Sequence, residues 1–418
     1  MNDFDLQVFV SDKPVGVLRN EDIETGLIDF EYLANVDLSL SVSLLMPPGV
    51  DPDDYRGFNG LPPPFQVSLP EGMVLDAIRT RFGKYVDVDN DIALLRLVGR
   101  HTVGRVTFGG PLEPDPDLDR RILEAVRSER SADRLTEILR ASPQMFGISG
   151  IMPKMSVEQN GKFRPGTVVG HGAIVKFESP SYIGSSLVEY ACLKACTRIG
   201  LAVPKVELAP DMSSMIVGRF DVDGSGRRLG FEDACALSGL HRNGKYKGSV
   251  EHLFRMIKHF VHPEDQKRGR ESLLKMVVMN DVLRNGDAHL KNFGLLYGND
   301  LMRPRLAPVY DVLTTSVWIR GDTPALTILS DDAGSGEWLD PEKLEQLRDV
   351  SGLPDFDIET FRKTSAEVAL STLNEVMDST PASLQRQALE RAVKIVEEAV
   401  VFKSGYRRRL AESNEHGH

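Results

Sequence analysis

The chain is poor in cysteine: Cys192, Cys196 and Cys235 are the three present in 418 residues. An odd, low count gives no disulfide framework and fits a reducing compartment, so a cytoplasmic location is expected. Cys192 and Cys196 stand four apart on an expected helix, where small core residues are the simpler reading than metal ligands. No apolar run reaches the ~20 residues a membrane span needs. No basic segment followed by an apolar core opens the chain, so neither a secretory signal nor a membrane partner is expected. Positive charge is also in deficit: 50 Lys and Arg face 61 Asp and Glu, a net charge of −11. A chain of that balance does not coat nucleic acid unaided. There is no repeat of solenoid period and no low-complexity tract. The remainder is ordinary for a globular protein, 41% hydrophobic and 27% charged. Its length allows two or three domains with a sizeable core.

The richest stretch is residues 285–311, NGDAHLKNFGLLYGNDLMRPRLAPVYD. A nearly all-apolar segment, Leu273 to Leu283, runs into it and reads as a buried helix or strand. Asn285-Gly286 is a turn signal. Phe293 to Tyr297 reads as a strand, Gly298-Asn299-Asp300 as turn chemistry, and a second extended piece leads to Val309-Tyr310-Asp311. Closing this hairpin would bring Asn292 and Asp311 together and build one small site with Asp287. Such a site suits phosphoryl transfer. One carboxylate orients or takes the proton of an attacking hydroxyl, while an amide oxygen and a second carboxylate are hard ligands for Mg²⁺. D-x-x-x-x-N followed by a later Asp is also the spacing of the protein-kinase catalytic loop and metal Asp. The competing reading is a capped turn whose Asp and Asn bond their own backbone.

Upstream, residues 146–157 read FGISGIMPKMSV. Gly147, Ser149 and Gly150 let a backbone approach phosphates, although no Walker loop is present and a plain turn remains open. The strand Ala173 to Phe177 carries one charge, Lys176, on an otherwise apolar run. Burying it needs a partner, such as a phosphate and a carboxylate; the alternative is an edge lysine reaching water. Glu189 lies thirteen residues on, in an expected helix from Ser185 to Ile199 closed by Gly200. It borders the apolar stripe and can pair with Lys176, the kinase device for fixing phosphates. Two strands, Val206 to Leu208 and Ser214 to Phe220, follow. The strand end Gly218-Arg219-Phe220 would link to a second lobe, where an adenine could lodge. GSGRRLG at 224–230 lacks dinucleotide spacing and reads as a hairpin tip. His252, His259 and His262 have loose spacing without matching carboxylates and read as surface or core histidines.

The expected organisation is a separate β-rich N-terminal unit (1–110), a helical connector (111–141), a lobe with the Gly-rich loop (142–235) and a larger helical lobe (236–418). In the first, Leu6 to Val10 and Val15 to Leu18 flank a Ser11–Pro14 turn. Leu38 to Leu45 alternates as a further strand would, and Val103 to Phe108 closes the unit. Met73 to Phe82 has helical spacing. Leu118 to Leu139 reads as the connector helix. Helical patterns at Pro341 to Leu347, Ile358 to Met377 and Pro381 to Leu410 form an amphipathic cap. The fold class is therefore α+β.

FGISGIMPKMSV, the AIVK strand, the GRFD step, RNGDAHLKNFGL and APVYDV occur in that order, behind LQVFVSDKPVGVL, FEYLA and PPPFQVSLPEG. This succession resembles the HipA family of toxin kinases over nearly the whole chain. The resemblance implies a two-lobed serine/threonine-kinase fold, related to protein and phosphoinositide kinases. It implies ATP and Mg²⁺ as cofactors, with Asp287 as catalytic base and Asn292 and Asp311 as metal ligands. Lys176 would meet the ATP phosphates under a loop of Ser149, Gly150, Ile151, Met152, Pro153 and Lys154. Gly218, Arg219 and Phe220 would line the adenine, and His289, Lys291 and Asn292 the triphosphate. Glu189 matches a recurrent helix glutamate. Family members phosphorylate aminoacyl-tRNA synthetases and are restrained by a small helix-turn-helix antitoxin, through which they reach DNA indirectly. Where some members carry an autophosphorylated Ser, this chain has Gly147; Ser149 is the available substitute. Two other functions fit the same residues: a small-molecule or lipid kinase, and a non-catalytic antitoxin-binding corepressor.

Overall fold

The computed structural model describes residues 5–22, 27–50, 60–70, 75, 79, 87, 89–99, 102–109, 116–131, 133–135, 137, 166–169, 173–178, 181–299, 301, 303–330 and 336–415. The first unit is an antiparallel sheet of β1 (Leu6–Val10), β2 (Lys13–Asp22), β3 (Leu27–Tyr32) and β4 (Val106–Phe108), in the order β3-β2-β1-β4. β1 turns into β2 through Ser11 and Asp12, both at positive φ. That backbone twist suits a two-residue hairpin. Leu6, Val8 and Val10 alternate into a core shared with Phe30, Phe65 and Phe108. Phe65 belongs to the short helix α1 (Pro63–Gln66) and packs between the other two rings at 4.9 and 6.0 Å. Helix α2 (Asp91–Val98), capped by Asn90, covers this core with Ile92, Leu94 and Leu95. The structure corrects one expectation here. Leu38 to Leu45 is not a strand: Asp37 caps a 3-10 turn, Leu38–Leu40, and Ser41 and Ser43 then fold inward, the Ser41 hydroxyl donating to the Ser43 carbonyl and accepting from Ser43 N–H. The strand of this region is β3. Most of Met73 to Phe82 lies outside the described residues.

Helix α3 (Pro116–Val126) forms the first part of the expected connector. A second antiparallel sheet follows, of β5 (Gly166–Val169), β6 (Ala173–Phe177), β7 (Val206–Leu208) and β8 (Ser214–Gly218), ordered β5-β6-β8-β7. Helix α4 (Ser185–Arg198) packs on this sheet through Val188, Ala191, Cys192, Ala195 and Cys196, all fully buried. The two cysteines are thus core residues. Gly200, in the left-handed region, lets the chain leave α4, as the sequence suggested.

The larger lobe shares that core. β9 (Gly230–Asp233), β10 (Gly294–Tyr297) and β11 (Arg305–Leu306) form a small sheet ordered β11-β10-β9. Asp233 caps the one-turn helix α5 (Ala234–Leu237). Helices α6 (Val250–Phe260) and α7 (Pro263–Val282) lead to the site. The apolar run before Asn285 is the buried second half of α7, and so helical. The cap consists of α8 (Pro341–Ser351), α9 (Ile358–Asp378) and α10 (Leu384–Glu415), close to the three helical patterns expected. No helix among the described residues is long and apolar enough to cross a membrane.

Buried polar contacts latch the N-terminal unit onto this framework. Glu232 on β9 accepts hydrogen bonds from Ser43 Oγ (2.6 Å), Leu44 N (2.7 Å) and Tyr297 Oη (2.8 Å). Arg105 donates to the Gly298 and Ser41 carbonyls and lies over the Tyr297 ring. Asp221 accepts from Gly104 N at 2.6 Å. A buried carboxylate or guanidinium is tolerated only with such partners.

Candidate active site

Lys176 is the penultimate residue of β6 and is 6% exposed. Its neighbours on the strand, Val175 and Phe177, are buried apolar groups, so the ammonium has to find charge within the fold. It lies 2.5 Å from Glu189 Oε1 on α4 and also contacts Asp311 Oδ1. Glu189 is 3% exposed. Burial opposes the lysine's charge, but the carboxylates of Asp311 and Glu189 outweigh it and hold the ammonium above its ordinary pKa. Burial pushes the Glu189 carboxyl up, against the pull of Lys176. Three elements distant in sequence are thereby tied at one cation.

The loop after α7 is a polar scaffold. Asn285 Nδ2 donates to Asn280 Oδ1 at 2.7 Å and to the Asp311 carbonyl at 3.2 Å. Gly286 N donates to Thr315 Oγ1 at 2.6 Å, and Thr315 in turn donates to Asp322 Oδ2 at 2.6 Å. A β-carbon at Gly286 would lie 2.1 Å from Asp322 Oδ1, so any larger residue has to push the Asp322 carboxylate off Thr315 and Ser316. Asp287 follows, with Oδ1 accepting from the Tyr246 hydroxyl at 2.8 Å. Burial pushes its pKa up to about 6, against the hydrogen bond from Tyr246 and the charge of Lys245. Asp311 and Asp322 add to the rise.

The 3-10 turn Leu290–Asn292 then carries the chain into β10. The hairpin forms as the sequence implied, with Leu295 opposite Leu306. It brings Asn292 Nδ2 to 3.4 Å from the Asp311 carbonyl. Asp311 has a φ of 55°, an uncommon conformation for a residue other than glycine. The amides of Asn285 and Asn292 both hold its carbonyl, which sustains that backbone and leaves the carboxylate half in solvent. Asn292 Oδ1 is buried and has no hydrogen-bond partner among the described residues. Such an orphaned acceptor costs about 1–3 kcal/mol. A hard cation would satisfy it, and the Asp311 carboxylate supplies the complementary charge, so the donor set fits Mg²⁺.

The remaining residues fall into three groups. His289 is buried with its ring edge-on to Tyr246, and Lys291 Nζ stands 3.8 Å from Asp233 Oδ2, both within the same loop. Gly218 ends β8 and Phe220 stacks on Tyr310 at 5.2 Å and 11°, an aromatic wall beside the loop. Arg219 is directed elsewhere: its guanidinium pairs with the buried Asp221 and donates to the Thr102 carbonyl of the N-terminal unit at 2.9 Å. Ser149, Gly150, Ile151, Met152, Pro153 and Lys154 lie outside the described residues. Sequence reasoning missed Tyr246, Thr315 and Asp322. Tyr246 reaches the loop from a stretch well before it, and Thr315 and Asp322 from one stretch just after Asp311.

A strand lysine held by a helix glutamate, opposite a loop Asp and Asn and a second Asp, defines a kinase-like phosphotransferase arrangement. Comparison with known proteins agrees. The HipA N-terminal domain family matches residues 6–109 and the HipA-like C-terminal domain family matches residues 146–393. The chain belongs to the HipA family. The Sinorhizobium fredii protein named "Putative kinase Y4dM" is 30% identical over 314 residues, 69% of this chain and 71% of that one. A second protein of that organism, "Putative kinase Y4mE", is 26% identical over 249 residues, 54% of this chain and 58% of its own length. Among solved structures, HipA from the Shewanella oneidensis complex of HipA, HipB and operator DNA superposes with a TM-score of 0.64. That match has 19% identity and covers 96% of this chain and 97% of the other, so the two-lobed HipA fold is shared.

Proposed function

We propose that the chain is an ATP- and Mg²⁺-dependent serine/threonine protein kinase, the toxin of a toxin–antitoxin pair. The observation that carries this reading is the cluster in which Lys176 meets Glu189 and Asp311 beside Asp287 and Asn292. Asn292 and Asp311 would hold Mg²⁺, which when bound neutralises charge on phosphate oxygens. Lys176, fixed by Glu189, binds and orients the triphosphate. Phe220 and Tyr310 offer a stacked aromatic wall for the adenine end, with Gly218 at the strand terminus. Asp287 aligns the acceptor hydroxyl and takes its proton. The hydroxyl oxygen bonds to the γ-phosphorus, the bond to the β-phosphate oxygen breaks, and ADP leaves with the electron pair. His289 and Lys291 flank this position; the loop that the family resemblance assigns to the phosphates, Ser149 to Lys154, lies outside the described residues. A phosphate on Ser149 would add about −2 charge there and exclude nucleotide.

The substrate class proposed is an aminoacyl-tRNA synthetase, whose modification stalls translation and growth. The partner is a small helix-turn-helix antitoxin of the HipB kind, and DNA is met only through it. Support comes from family membership and from the Shewanella neighbour, whose complex contains HipB and operator DNA. The test is incubation of the full chain with ATP, Mg²⁺ and a panel of synthetases, read by intact mass beside Asp287→Asn. Transfer to one synthetase that disappears in the variant, with ATP binding kept, is the expected result. Full transfer by Asp287→Asn would remove the assignment. Absence of transfer by the wild-type chain, with ATP still bound, would favour a non-catalytic antitoxin-binding role.

A further inference from the structure

Tyr246 reaches the site from the segment between the 3-10 turn Arg242–Gly244 and helix α6. Its hydroxyl donates to Asp287 Oδ1 at 2.8 Å, across 41 residues of sequence. The segment is fitted to the Asp287–Asn292 loop in three further ways. Leu290 N–H donates to the Lys245 carbonyl at 3.1 Å. The Tyr246 ring stands edge-on to His289, with centroids 5.1 Å apart and planes at 79°. Gly248 approaches Leu290 so closely that a β-carbon there would meet the Leu290 methyl carbons at 2.8 Å. Backbone, ring and hydroxyl therefore fix the phenol against the loop. On its opposite side the same loop is braced by Thr315 through Gly286 N.

A carboxylate joined by an sp³–sp² bond turns freely in a broad, two-fold well. One hydrogen bond to one oxygen removes that freedom, and a neutral donor to an ionised acceptor is a strong bond of its kind. No other hydrogen bond to the Asp287 carboxylate is made by the described residues. Oδ1 is thus occupied by the phenol and Oδ2 is the oxygen left to meet an acceptor.

We propose that Tyr246 is a positioning residue for phosphoryl transfer: its hydroxyl locks the Asp287 carboxylate so that Oδ2 faces the incoming hydroxyl. The inference rests on the kinase reading above and names how its base is oriented. Among the described residues Tyr246 hydrogen-bonds the base and neither Lys176 nor Asp311, so its loss should slow the transfer step and leave ATP binding alone. Positioning of this kind acts on kcat, because a misdirected base lowers the share of bound complexes ready to react.

The test uses the full chain and Mg-ATP, with water as acceptor, so that no protein substrate need be known. Phosphate release gives kcat and KM, and a fluorescent ATP analogue gives nucleotide affinity. Tyr246→Phe keeps the ring and its packing on His289 while removing one O–H. It should lower kcat by about five- to twenty-fold, the effect of one hydrogen bond to a charged group. KM and analogue affinity should stay within about twofold. In the Asp287→Asn background the same substitution should change the residual rate by less than about twofold, because a residue acting through another has nothing left to orient. An unchanged kcat in Tyr246→Phe would overturn the proposal. So would a loss of equal size in the Asp287→Asn background, or a matching loss of nucleotide affinity, either of which marks a merely structural role. A wild-type chain that neither hydrolyses ATP nor phosphorylates a synthetase fails the kinase reading itself, a result separate from these.

Discussion

Replacing Lys176 with Met keeps the apolar stem of the side chain and removes its charge. Breaking one half of a buried ion pair leaves the other half unpaired, at a cost of about 3–5 kcal/mol. Asp311 escapes most of that cost, because its carboxylate is 47% exposed and water can serve it. Glu189 has no such access and can relieve its charge only by binding a proton. Burial already raises its pKa above the ordinary carboxyl value, and losing Lys176 raises it further. The folded variant then holds a proton that the unfolded chain, with a carboxyl pKa of about 4.3, releases. A raised carboxyl pKa means stability that is present at low pH and lost as pH climbs toward the folded value. The rate of loss is at most about 1.4 kcal/mol per pH unit. Wild type has the same sign over a narrower window, since Lys176 pulls the folded pKa down. The gap between the two proteins must therefore widen with pH. From the specific entropy of unfolding, a chain of 418 residues shifts its Tm by about 1 °C per kcal/mol. Melts without nucleotide should show Lys176→Met about 3–6 °C below wild type near pH 8, and a smaller gap near pH 5. Adding Glu189→Gln should restore most of the loss at the higher pH. A deficit that is flat with pH, or one that Glu189→Gln does not recover, would refute the argument that an unpaired buried charge is its source.

Two further outcomes follow from the site. Asp287 must be ionised to accept a proton, and its pKa is raised to about 6. The kcat/KM for ATP hydrolysis, which reports the free enzyme, should therefore fall tenfold per pH unit below about pH 6 and level off above it. A break near pH 4, the ordinary carboxyl value, would show that the base is elsewhere or is not buried. Asn292→Ala removes the buried oxygen that has no partner among the described residues. It should raise the Mg²⁺ concentration for half-maximal hydrolysis by at least about tenfold, the equivalent of 1.4 kcal/mol. A Mg²⁺ titration that superposes on wild type would take Asn292 out of the metal site.

Lys176 and the Asp287–Asn292 step were legible because each carries its signal locally. One charge in AIVKF has no local partner, which by itself demands a distant one. The turn at Asn285-Gly286, the apolar strand and the Gly298-Asn299 turn place Asn292 and Asp311 together by hairpin geometry alone. The three C-terminal helices were legible for the same reason, since their apolar period is written in consecutive turns. Tyr246 was not legible: it lies 41 residues from its partner and a tyrosine in GKYKG carries no pattern. Leu38 to Leu45 misled because serines and leucines alternate there as in a strand. The serines fold in because their hydroxyls find buried acceptors there: Ser41 the Ser43 and Met46 carbonyls, and Ser43 the carboxylate of Glu232, far along the chain. β3 was overlooked although Ile28 and Phe30 alternate into the core, because its stretch of sequence is crowded with acids.

Glu232 and Asp233 show why the relation between the two units needed three dimensions. Consecutive residues on a strand point to opposite faces. On β9, Glu232 turns toward Ser43, Leu44 and Tyr297, the seam with the N-terminal unit. Asp233 turns the other way, caps α5 and stands 3.8 Å from Lys291 in the loop of Asp287. Both acids are buried, so neither can be relieved by water. A single four-residue strand thus has one face answering to the N-terminal unit and the other to the candidate active site. In the sequence the pair is merely two adjacent acids before a helix, the commonest place for a cap. Burial on both faces is what turns them into structural demands, and burial is set by residues nearly two hundred positions away in one direction and about sixty in the other. The N-terminal unit is in this sense part of what shapes the loop, even though none of its side chains stands among the residues proposed for catalysis.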